Sequence, residues 1–259
     1  MTGRTGALAW TEVGDPSTRA LVMIHALGAD SKMWEPQLPD LARLRRVITV
    51  DLPGHGTSVG SEGPYTVRDL GEDILDVAAG AGADTFDLCG ISLGGFISLW
   101  IAAHAPDRVT ALVASNTAAR IGTEETWQAR IDGVAGGGIE AISEQALGRF
   151  FTPGFAVSDP GTYQRSANTL LGTDPGAYMA CCAALRDGDL RELVEAIRCP
   201  ALVIGGSEDV STPTEQAEWL SDHIEGSRLA IIEGAPHFAN LEYPDEWGKL
   251  VTGFLGELT

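Results

Sequence analysis

The stretch FDLCGISLGGFISLWIAA, residues 86–103, joins a strand-like run to a helix-like run through a glycine-rich turn. The turn, Gly90-Ile-Ser-Leu-Gly94, matches the pattern G-x-S-x-G, and its setting between strand and helix is typical of a nucleophilic serine. Side chains two residues before and after Ser92 would collide with the backbone of so tight a turn, so glycine is expected there. The pattern alone also occurs in ordinary glycine turns, but the flanking runs favour Ser92 as a nucleophile.

Similar short apolar runs recur on both sides of this turn and are separated by helix-like stretches. Runs of five or six such residues are typical of parallel strands buried on both faces. One helix-like stretch, residues 66–81, begins at Thr66 and places Leu70 and Ile74 on one face. We therefore expect an α/β fold with a mostly parallel, doubly wound sheet, to which residues 6–14 could add an antiparallel edge strand. The runs lie at residues 20–25, 46–51, 86–91, 109–114, 200–205 and 228–232.

The alternation of strand and helix patterns stops between residues 119 and 186. This segment has helical spacing from Ile139 to Phe150 and no strand-like run, and it is too long for a simple connection. It predicts a helical insertion, a lid, over one edge of the sheet. The domain prediction is therefore a core of residues 1–118 and 187–259, with a helical lid (cap) at residues 119–186.

A serine hydroxyl needs a base and an orienting acid to react near neutral pH. Among the five histidines, His237 directly follows the last strand-like run, so its loop can deliver an imidazole to the sheet edge that carries Ser92. The alternative for His237 is an exposed loop histidine. Asp209 follows the preceding run and is predicted to be the acid, while its neighbour Glu208 is one residue off and should point elsewhere. The loop after residues 109–114 offers no carboxylate, and the order Ser, Asp, His accompanies this type of turn.

The oxyanion formed during acyl transfer needs two N–H donors. One is predicted to be the backbone N–H of Leu93, the residue after the nucleophile. The other is expected in the early loop His25-Ala-Leu-Gly28. We choose the Leu27 N–H there, and that of Ala26 is the alternative.

Composition limits the classes of partner. Acidic residues outnumber basic ones 36 to 17 among 259 residues, a net charge of −19, and such a surface repels nucleic acid and anionic lipid. No apolar run approaches the ~18 residues needed to cross a bilayer, and the chain start lacks an apolar stretch of signal-peptide length. We expect a cytoplasmic protein with a small-molecule substrate and without nucleic-acid or membrane partners. The sequence leaves its oligomeric state open.

Neither a metal nor an organic cofactor is expected. The histidines show no metal-ligand spacing, and the four cysteines have no C-x-x-C spacing. The adjacent Cys181 and Cys182 are interpreted as small core residues in preference to a redox pair.

Five stretches together resemble the α/β-hydrolase superfamily across nearly the whole chain. They are HALG (25–28), DLPGHGTS (51–58), GISLGG (90–95), GGSEDVSTP (205–213) and GAPH (234–237). Within the superfamily the chain is similar to the 3-oxoadipate enol-lactone hydrolase family of the β-ketoadipate pathway. That likeness depends on LCGISLGG (88–95), NTAARIG (116–122), WQAR (127–130), FFTPG (150–154) and MACCAALR (179–186). One departure is Ala26, where many superfamily members have glycine.

The resemblance implies a serine hydrolase that opens a small carboxylate-bearing enol lactone, 3-oxoadipate enol-lactone, to 3-oxoadipate through an acyl-enzyme. Arg130 and Arg120 are basic residues at the predicted lid entrance of an acidic protein, and an arginine facing the cleft would clamp the carboxylate. The alternative for Arg130 is a solvated or salt-bridged lid residue. Trp127 would cover the substrate ring or simply pack the lid.

Three rival functions follow from the same residues. A general carboxylesterase, or a cofactor-free perhydrolase or haloperoxidase, would use the same triad of Ser92, Asp209 and His237. A receptor that binds its ligand without turnover belongs to a different class, and the complete triad argues against it.

Overall fold

An eight-stranded sheet forms the centre of the computed structural model, which describes residues 1–60 and 63–258. The strands lie in the spatial order first, second, fourth, third, fifth, sixth, seventh, eighth. The third to eighth run parallel, whereas the first two are antiparallel to their neighbours. The strands are β1 (Thr2–Thr5), β2 (Leu8–Val13), β3 (Ala20–Ile24), β4 (Arg46–Val50), β5 (Phe86–Ile91), β6 (Val109–Ser115), β7 (Ala201–Gly206) and β8 (Arg228–Ile232).

The six apolar runs all form parallel strands, and their bounds differ from the predicted ones by no more than one residue. The prediction of burial on both faces is wrong for β8, which lies at an edge of the sheet and leaves Leu229 41% exposed. Residues 6–14 contain the predicted antiparallel strand, β2. It is not at the edge, because β1 pairs outside it through a two-residue turn in which Gly6 has φ 57°.

Helices cover both faces of the sheet, and four of the described ones begin at a residue whose side chain caps them. Thr66 caps the helix predicted at residues 66–81, since its hydroxyl accepts the Asp69 N–H at 3.2 Å. The described helices are α1 (Leu38–Leu44), α2 (Val67–Gly80), α3 (Leu93–His104), α4 (Glu124–Gly137), α5 (Glu140–Phe150), α6 (Phe155–Ser158), α7 (Pro160–Leu171), α8 (Pro175–Asp187), α9 (Thr214–His223), α10 (Ala239–Glu242) and α11 (Pro244–Gly256). Short 3₁₀ helices lie at Ser31–Trp34 and Val194–Ala196.

The helices α4 to α8 form one insertion between β6 and β7, here called the helical insertion. Residues 116–200 are all described, and none of them belongs to a strand. Within the insertion α4 packs against both α8 and α5. The predicted arrangement of a doubly wound sheet with a helical insertion is confirmed.

The helix α3 is the central helix of the fold. Residues 93–102 are all buried, and α3 packs against β3, β5 and β6. A helix that is apolar on every side needs such enclosure. Its N-terminus is thereby fixed at the carboxyl edge of the parallel strands, where open α/β sheets bind their ligands. Across the described ranges, no helix combines the length and hydropathy of a bilayer span.

Candidate active site

Ser92 occupies a strained turn between β5 and α3. Its backbone has φ 55° and ψ −116°, a region that non-glycine residues rarely adopt and that costs about 1–3 kcal/mol. A Cβ placed on Gly90 would lie 2.2 Å from the carbonyl oxygen of Gly94, and one on Gly94 would lie 2.0 Å from that of Ile24. The predicted reason for the two glycines, a collision with backbone, is confirmed.

Backbone hydrogen bonds hold Ser92 from two sides. Its N–H donates to the Ser115 carbonyl at 3.1 Å, and its carbonyl accepts from the Thr117 hydroxyl at 2.8 Å. The side chain stands at the N-terminus of α3, where the helix dipole favours negative charge. The serine is therefore presented in one fixed place.

His237 and Asp209 meet in a buried hydrogen bond, although they lie on different loops. His237 follows β8, Asp209 follows β7, and His237 Nδ1 lies 2.8 Å from Asp209 Oδ2. The two residues are 3% and 4% exposed, whereas Glu208 is exposed to solvent. Because a carboxylate only accepts, Nδ1 is the donor, and in the neutral ring Nε2 is the nitrogen that can accept a proton.

Donors surround the Asp209 carboxylate. Oδ1 accepts the backbone N–H groups of Ser211 and Thr212 at 2.8 and 2.9 Å, and Oδ2 accepts the Thr212 hydroxyl at 2.7 Å. Burial alone would raise the pKa of Asp209, but the charge and hydrogen bond of His237 and these donors outweigh it and lower the pKa to about 2. The Asp209 carboxylate is therefore ionised at every pH at which the protein is expected to be active.

Asn116 joins the two loops and was not singled out from the sequence. Its Nδ2 donates to Asp209 Oδ2 at 3.0 Å and to the Pro236 carbonyl at 3.2 Å, so one amide holds both the acid and the loop of His237. It has φ 45°, a left-handed conformation that asparagine tolerates better than most residues. An asparagine directly after a strand end was the available signal.

The helical insertion also holds the His237 loop. The N–H of Phe238 donates to the carbonyl of Phe150, the last residue of α5, at 2.9 Å. The Phe150 ring stacks on His237 with 6.3 Å between ring centroids. Glu242 accepts the Thr152 N–H at 3.0 Å. The histidine thus lies between the core and the insertion.

The predicted oxyanion donors are the backbone N–H groups of Leu27, which lines the same cavity as Ser92, and of Leu93, which follows Ser92 in the chain. Within residues 1–60 and 63–258, neither the Leu27 nor the Leu93 N–H donates to a protein atom. Leu27 lines the cavity that Ser92 opens into, and Ala26, the alternative, does not. Gly28 has φ 76° and turns the loop after Leu27. These N–H groups are suited to receive a negatively charged oxygen.

A cavity of about 420 Å³ connects the core and the helical insertion. From the core it is lined by Leu27, Ser92 and His237, and from the insertion by Trp127, Arg130, Arg149, Phe150 and Tyr178, among others. The carboxylate Oδ2 of Asp209 lies behind the histidine and is fully buried. The cavity therefore brings together Leu27, Ser92, His237, Trp127 and Arg130 of the predicted site. Asp209 reaches it through His237, and Leu93 is buried directly after Ser92.

Arg130 faces this cavity without a carboxylate partner in the described part of the chain. Its Nη1 donates to the buried Tyr178 hydroxyl at 3.2 Å, and its guanidinium carbon lies 5.7 Å from the centroid of the Trp127 ring. Burial raises the pKa of Tyr178 to about 12, so this hydroxyl stays neutral. Trp127 donates its indole N–H to the Ile121 carbonyl at 2.5 Å. Arg130 is therefore a half-buried positive charge available to a ligand.

Two further arginines have surroundings that the sequence did not predict. Arg120 does not line the cavity, and it lies 3.4 Å from the carboxylate of Asp189. Arg149, at the end of α5, does line the cavity, and within residues 1–60 and 63–258 it forms no ion pair. No sequence signal distinguished Arg149, because the side of α5 that meets the cavity depends on packing. Among the described residues, no three or more His, Cys, Asp or Glu side chains are grouped to hold a metal ion.

Comparison with known proteins gives consistent matches. The family profile described as alpha/beta hydrolase fold matches residues 19–244. A 3-oxoadipate enol-lactonase of Acinetobacter baylyi is 34% identical over 97% of this chain and 94% of its own. The crystal structure of the enol-lactonase from Burkholderia xenovorans LB400 superposes with a TM-score of 0.96 at 31% identity, covering 99% of this chain and 100% of that one. A pimeloyl-[acyl-carrier protein] methyl ester esterase of Neisseria meningitidis is 28% identical over 92% of this chain and 94% of its own.

Proposed function

This chain belongs to the α/β hydrolase fold family and is a carboxylic ester hydrolase, and we propose that it opens a small carboxylate-bearing enol lactone through an acyl-enzyme on Ser92. The observation that carries the chemistry is the buried hydrogen bond from His237 to Asp209, made beside a cavity that holds Ser92 on a strained turn. The observation that carries the substrate class is Arg130 in the same cavity, which forms no ion pair within the described ranges. Two relatives are named for 3-oxoadipate enol-lactone. Such a lactone offers an ester carbonyl to Ser92 and a carboxylate to Arg130.

The proposed first step forms the acyl-enzyme. Ser92 Oγ bonds to the lactone carbonyl carbon while its proton passes to His237 Nε2, and Asp209 stabilises the resulting imidazolium. The backbone N–H groups of Leu27 and Leu93 bind the oxyanion. The ring C–O bond then breaks, and the leaving oxygen takes the proton from Nε2 as an enol, which tautomerises to a ketone. Because an enol is a weaker base than an alkoxide, its departure demands less of the general acid.

The second step releases a dicarboxylate. His237 Nε2 removes a proton from water, the hydroxide attacks the Ser92 ester, and the oxyanion is held by the same two N–H groups. When the ester bond breaks, Ser92 Oγ recovers the proton from Nε2. No atom of this cycle requires a group outside the chain, the lactone and water.

Arg130 is proposed to bind the substrate carboxylate. In a chain of net charge −19 the long-range field repels an anion, so a local positive charge is needed to hold one. The guanidinium is already oriented by the Tyr178 hydroxyl, which leaves its other N–H groups for a carboxylate. Trp127 then covers the lactone ring from the side of the insertion.

The general carboxylesterase is retained as the second candidate, because the similar Neisseria esterase acts on a methyl ester by its name. The perhydrolase or haloperoxidase reaction would use the same serine and is separated by the same assay. Consumption of 3-oxoadipate enol-lactone by the purified protein, followed by ultraviolet absorbance, is compared with hydrolysis of neutral p-nitrophenyl esters. We expect kcat/KM to be larger for the anionic lactone by orders of magnitude. A preference of similar size for neutral esters would favour the carboxylesterase instead, and one for peracid formation would favour the perhydrolase or haloperoxidase.

A further inference from the structure

Two buried histidines that take no part in the proposed chemistry bind each other's loops. His25 follows β3, in the loop that contains Leu27, and His55 lies in the loop after β4. Both are 0% exposed, and their ring centroids are 5.1 Å apart. Side chains of this kind are seldom buried without a partner, and both have specific ones.

The hydrogen bonds of the pair are reciprocal. His25 Nε2 accepts the Leu52 N–H of the second loop at 2.9 Å, and His55 Nε2 accepts the Gly28 N–H of the first loop at 3.1 Å. The Nδ1 atoms lie 2.7 Å from the Ala26 carbonyl and 2.9 Å from the Pro53 carbonyl. Because carbonyls only accept and N–H groups only donate, both rings carry their proton on Nδ1 and are neutral.

The His55 bond removes one N–H group of the first loop from those available to a ligand, and Leu27 is the residue of this loop that lines the cavity with Ser92. Gly28 N–H is occupied by His55, and the Ala26 carbonyl is occupied by His25 and by the Ala29 N–H at 3.1 Å. The Leu27 N–H lies between these fixed points and has no acceptor within residues 1–60 and 63–258. Because the Ala26 carbonyl and the Leu27 N–H share one planar peptide unit, the direction of this N–H is set by the bonds on that carbonyl and by the His55 bond on the next unit.

The second loop is itself anchored, so it can serve as a fixed support. Asp51 Oδ2 accepts the Thr57 N–H at 2.8 Å, and Asp51 Oδ1 accepts the Ser31 N–H at 2.8 Å. The Ser58 hydroxyl donates to the Asp51 carbonyl at 2.6 Å. The support continues into the sheet, since Ser58 Oγ accepts the Ala9 N–H at 2.7 Å.

We propose that His55 is a positioning residue for acyl transfer, whose neutral Nε2 holds the Gly28 N–H and thereby aims the Leu27 N–H at the oxyanion. This inference rests on the proposed acyl transfer at Ser92. It applies to any ester that passes through a tetrahedral oxyanion, whatever the natural substrate.

The test varies the reach of the acceptor at position 55. In His55→Gln the amide oxygen stands near the position of Nε2 and can accept the Gly28 N–H, whereas in His55→Asn it is too short to do so. The matched control is His223→Asn, because His223 on α9 also donates Nδ1 to a backbone carbonyl, that of Trp219 at 2.8 Å, but lies outside the cavity. Thermal unfolding midpoints establish that each variant is folded.

The probe is phenylboronic acid, whose boron accepts Ser92 Oγ to give a tetrahedral anion with an oxygen in the oxyanion position, the serine proton passing to His237. We expect its Kd to rise about 10- to 100-fold in His55→Asn, with a matching fall in kcat/KM for p-nitrophenyl acetate, as when an oxyanion donor is displaced. His55→Gln and the His223 control should stay near the wild-type values. Folded His55→Asn with wild-type boronate affinity, or folded His55→Gln as impaired as His55→Asn, would overturn the inference.

The two levels of the proposal fail in different ways. If acyl transfer at Ser92 is wrong, wild-type protein does not bind phenylboronic acid covalently, and the Ser92→Ala variant keeps the esterase activity of the wild type. If only the positioning role is wrong, wild-type protein binds the boronate and depends on Ser92, but the His55 variants do not separate. Should His55→Asn fail to fold, a loss of boronate affinity in folded His55→Gln would still overturn the inference, because the inference requires that variant to retain it.

Discussion

The two walls of the cavity are built differently. On the core wall, Ser92 is held through both its N–H and its carbonyl, and directly behind this wall Asp209 accepts five hydrogen bonds. On the wall formed by the helical insertion, Arg130 has one hydrogen-bond partner and Arg149 forms no ion pair within the described ranges. Groups whose bonds are satisfied within the protein are positioned for one reaction, whereas unsatisfied charges are left for a ligand. We infer that the core fixes the chemistry and that the insertion selects the substrate.

The largest fall in kcat is expected when the nucleophile of the core wall is removed. Ser92→Ala should lower kcat by about 10⁴-fold or more on every substrate, since no covalent intermediate can form. Steady-state kinetics on the lactone and on p-nitrophenyl acetate would measure this. Ser211→Ala is the control, because Ser211 lines the same cavity and binds Asp209 only through its backbone N–H. Near-normal turnover by folded Ser92→Ala would contradict the assignment.

The acid of the core wall should have the next largest effect. Asp209→Asn keeps the shape of the side chain but lets its amide donate to His237 Nδ1, which stabilises the wrong tautomer, so kcat should fall about 10⁴-fold or somewhat less. The neighbouring Glu208→Gln removes a charge of the same sign from an exposed position and should leave kcat near wild type. Equal losses in the two variants would show that the effect is not specific to Asp209.

The wall of the insertion should respond differently. Arg130→Gln should lower kcat/KM for the anionic lactone by about 10²-fold, the value of a charged hydrogen-bonded pair, and mainly through KM. Hydrolysis of neutral p-nitrophenyl acetate should hardly change. Arg120→Gln is the matched control, since Arg120 pairs with Asp189 and does not line the cavity. A similar loss on neutral and anionic substrates would remove the distinction between the walls.

The smallest expected effect is on the pH dependence of the free energy of unfolding, through the buried His55. Burial lowers the pKa of His55 from 6.5 to about 3. Between these values the unfolded chain binds a proton that the folded chain does not, so the free energy of unfolding should fall by about 1.4 kcal/mol per pH unit as pH decreases. Burial lowers the pKa of His25 in the same direction, and it raises that of the nearby Asp30.

Denaturant titrations from pH 6.5 to pH 4 would isolate the contribution of His55. His55→Gln removes only that titration, so its stability should depend on pH less steeply than that of the wild type. His223→Gln, outside the cluster, should keep the wild-type slope. Identical slopes for wild type and His55→Gln would mean that the buried ring is not kept neutral as its hydrogen bonds require.

The fold could be predicted from local pattern because its strands are short, apolar and separated by helices. Ser92 was identifiable because the turn that carries it has a local residue pattern between a strand-like and a helix-like run. One of its glycines, Gly90, is required by contacts within the turn, whereas Gly94 is required by the carbonyl of Ile24 on β3. His237 and Asp209 followed from the rule that loops after parallel strands meet at one edge. By contrast β1 was missed, because a four-residue strand with alternating exposure leaves almost no apolar signal.

The residues that sequence analysis missed share a cause. Asn116 and His55 bond partners 27 or more residues away, and Arg149 reaches the cavity through the face that its helix presents after packing. Asn116 bonds Pro236, which is 120 positions further along the chain. Such contacts depend on how separate loops and helices are brought together, and no local pattern of residues records that.

The central claim, that His237 and Asp209 activate Ser92, is tested most directly by labelling with diisopropyl fluorophosphate followed by peptide mass mapping. We expect one phosphoryl group per chain, on the peptide that contains Ser92, with loss of lactone turnover in proportion to labelling and much slower labelling of Asp209→Asn. Full labelling of Ser92 with turnover intact, or labelling confined to another residue, would contradict it.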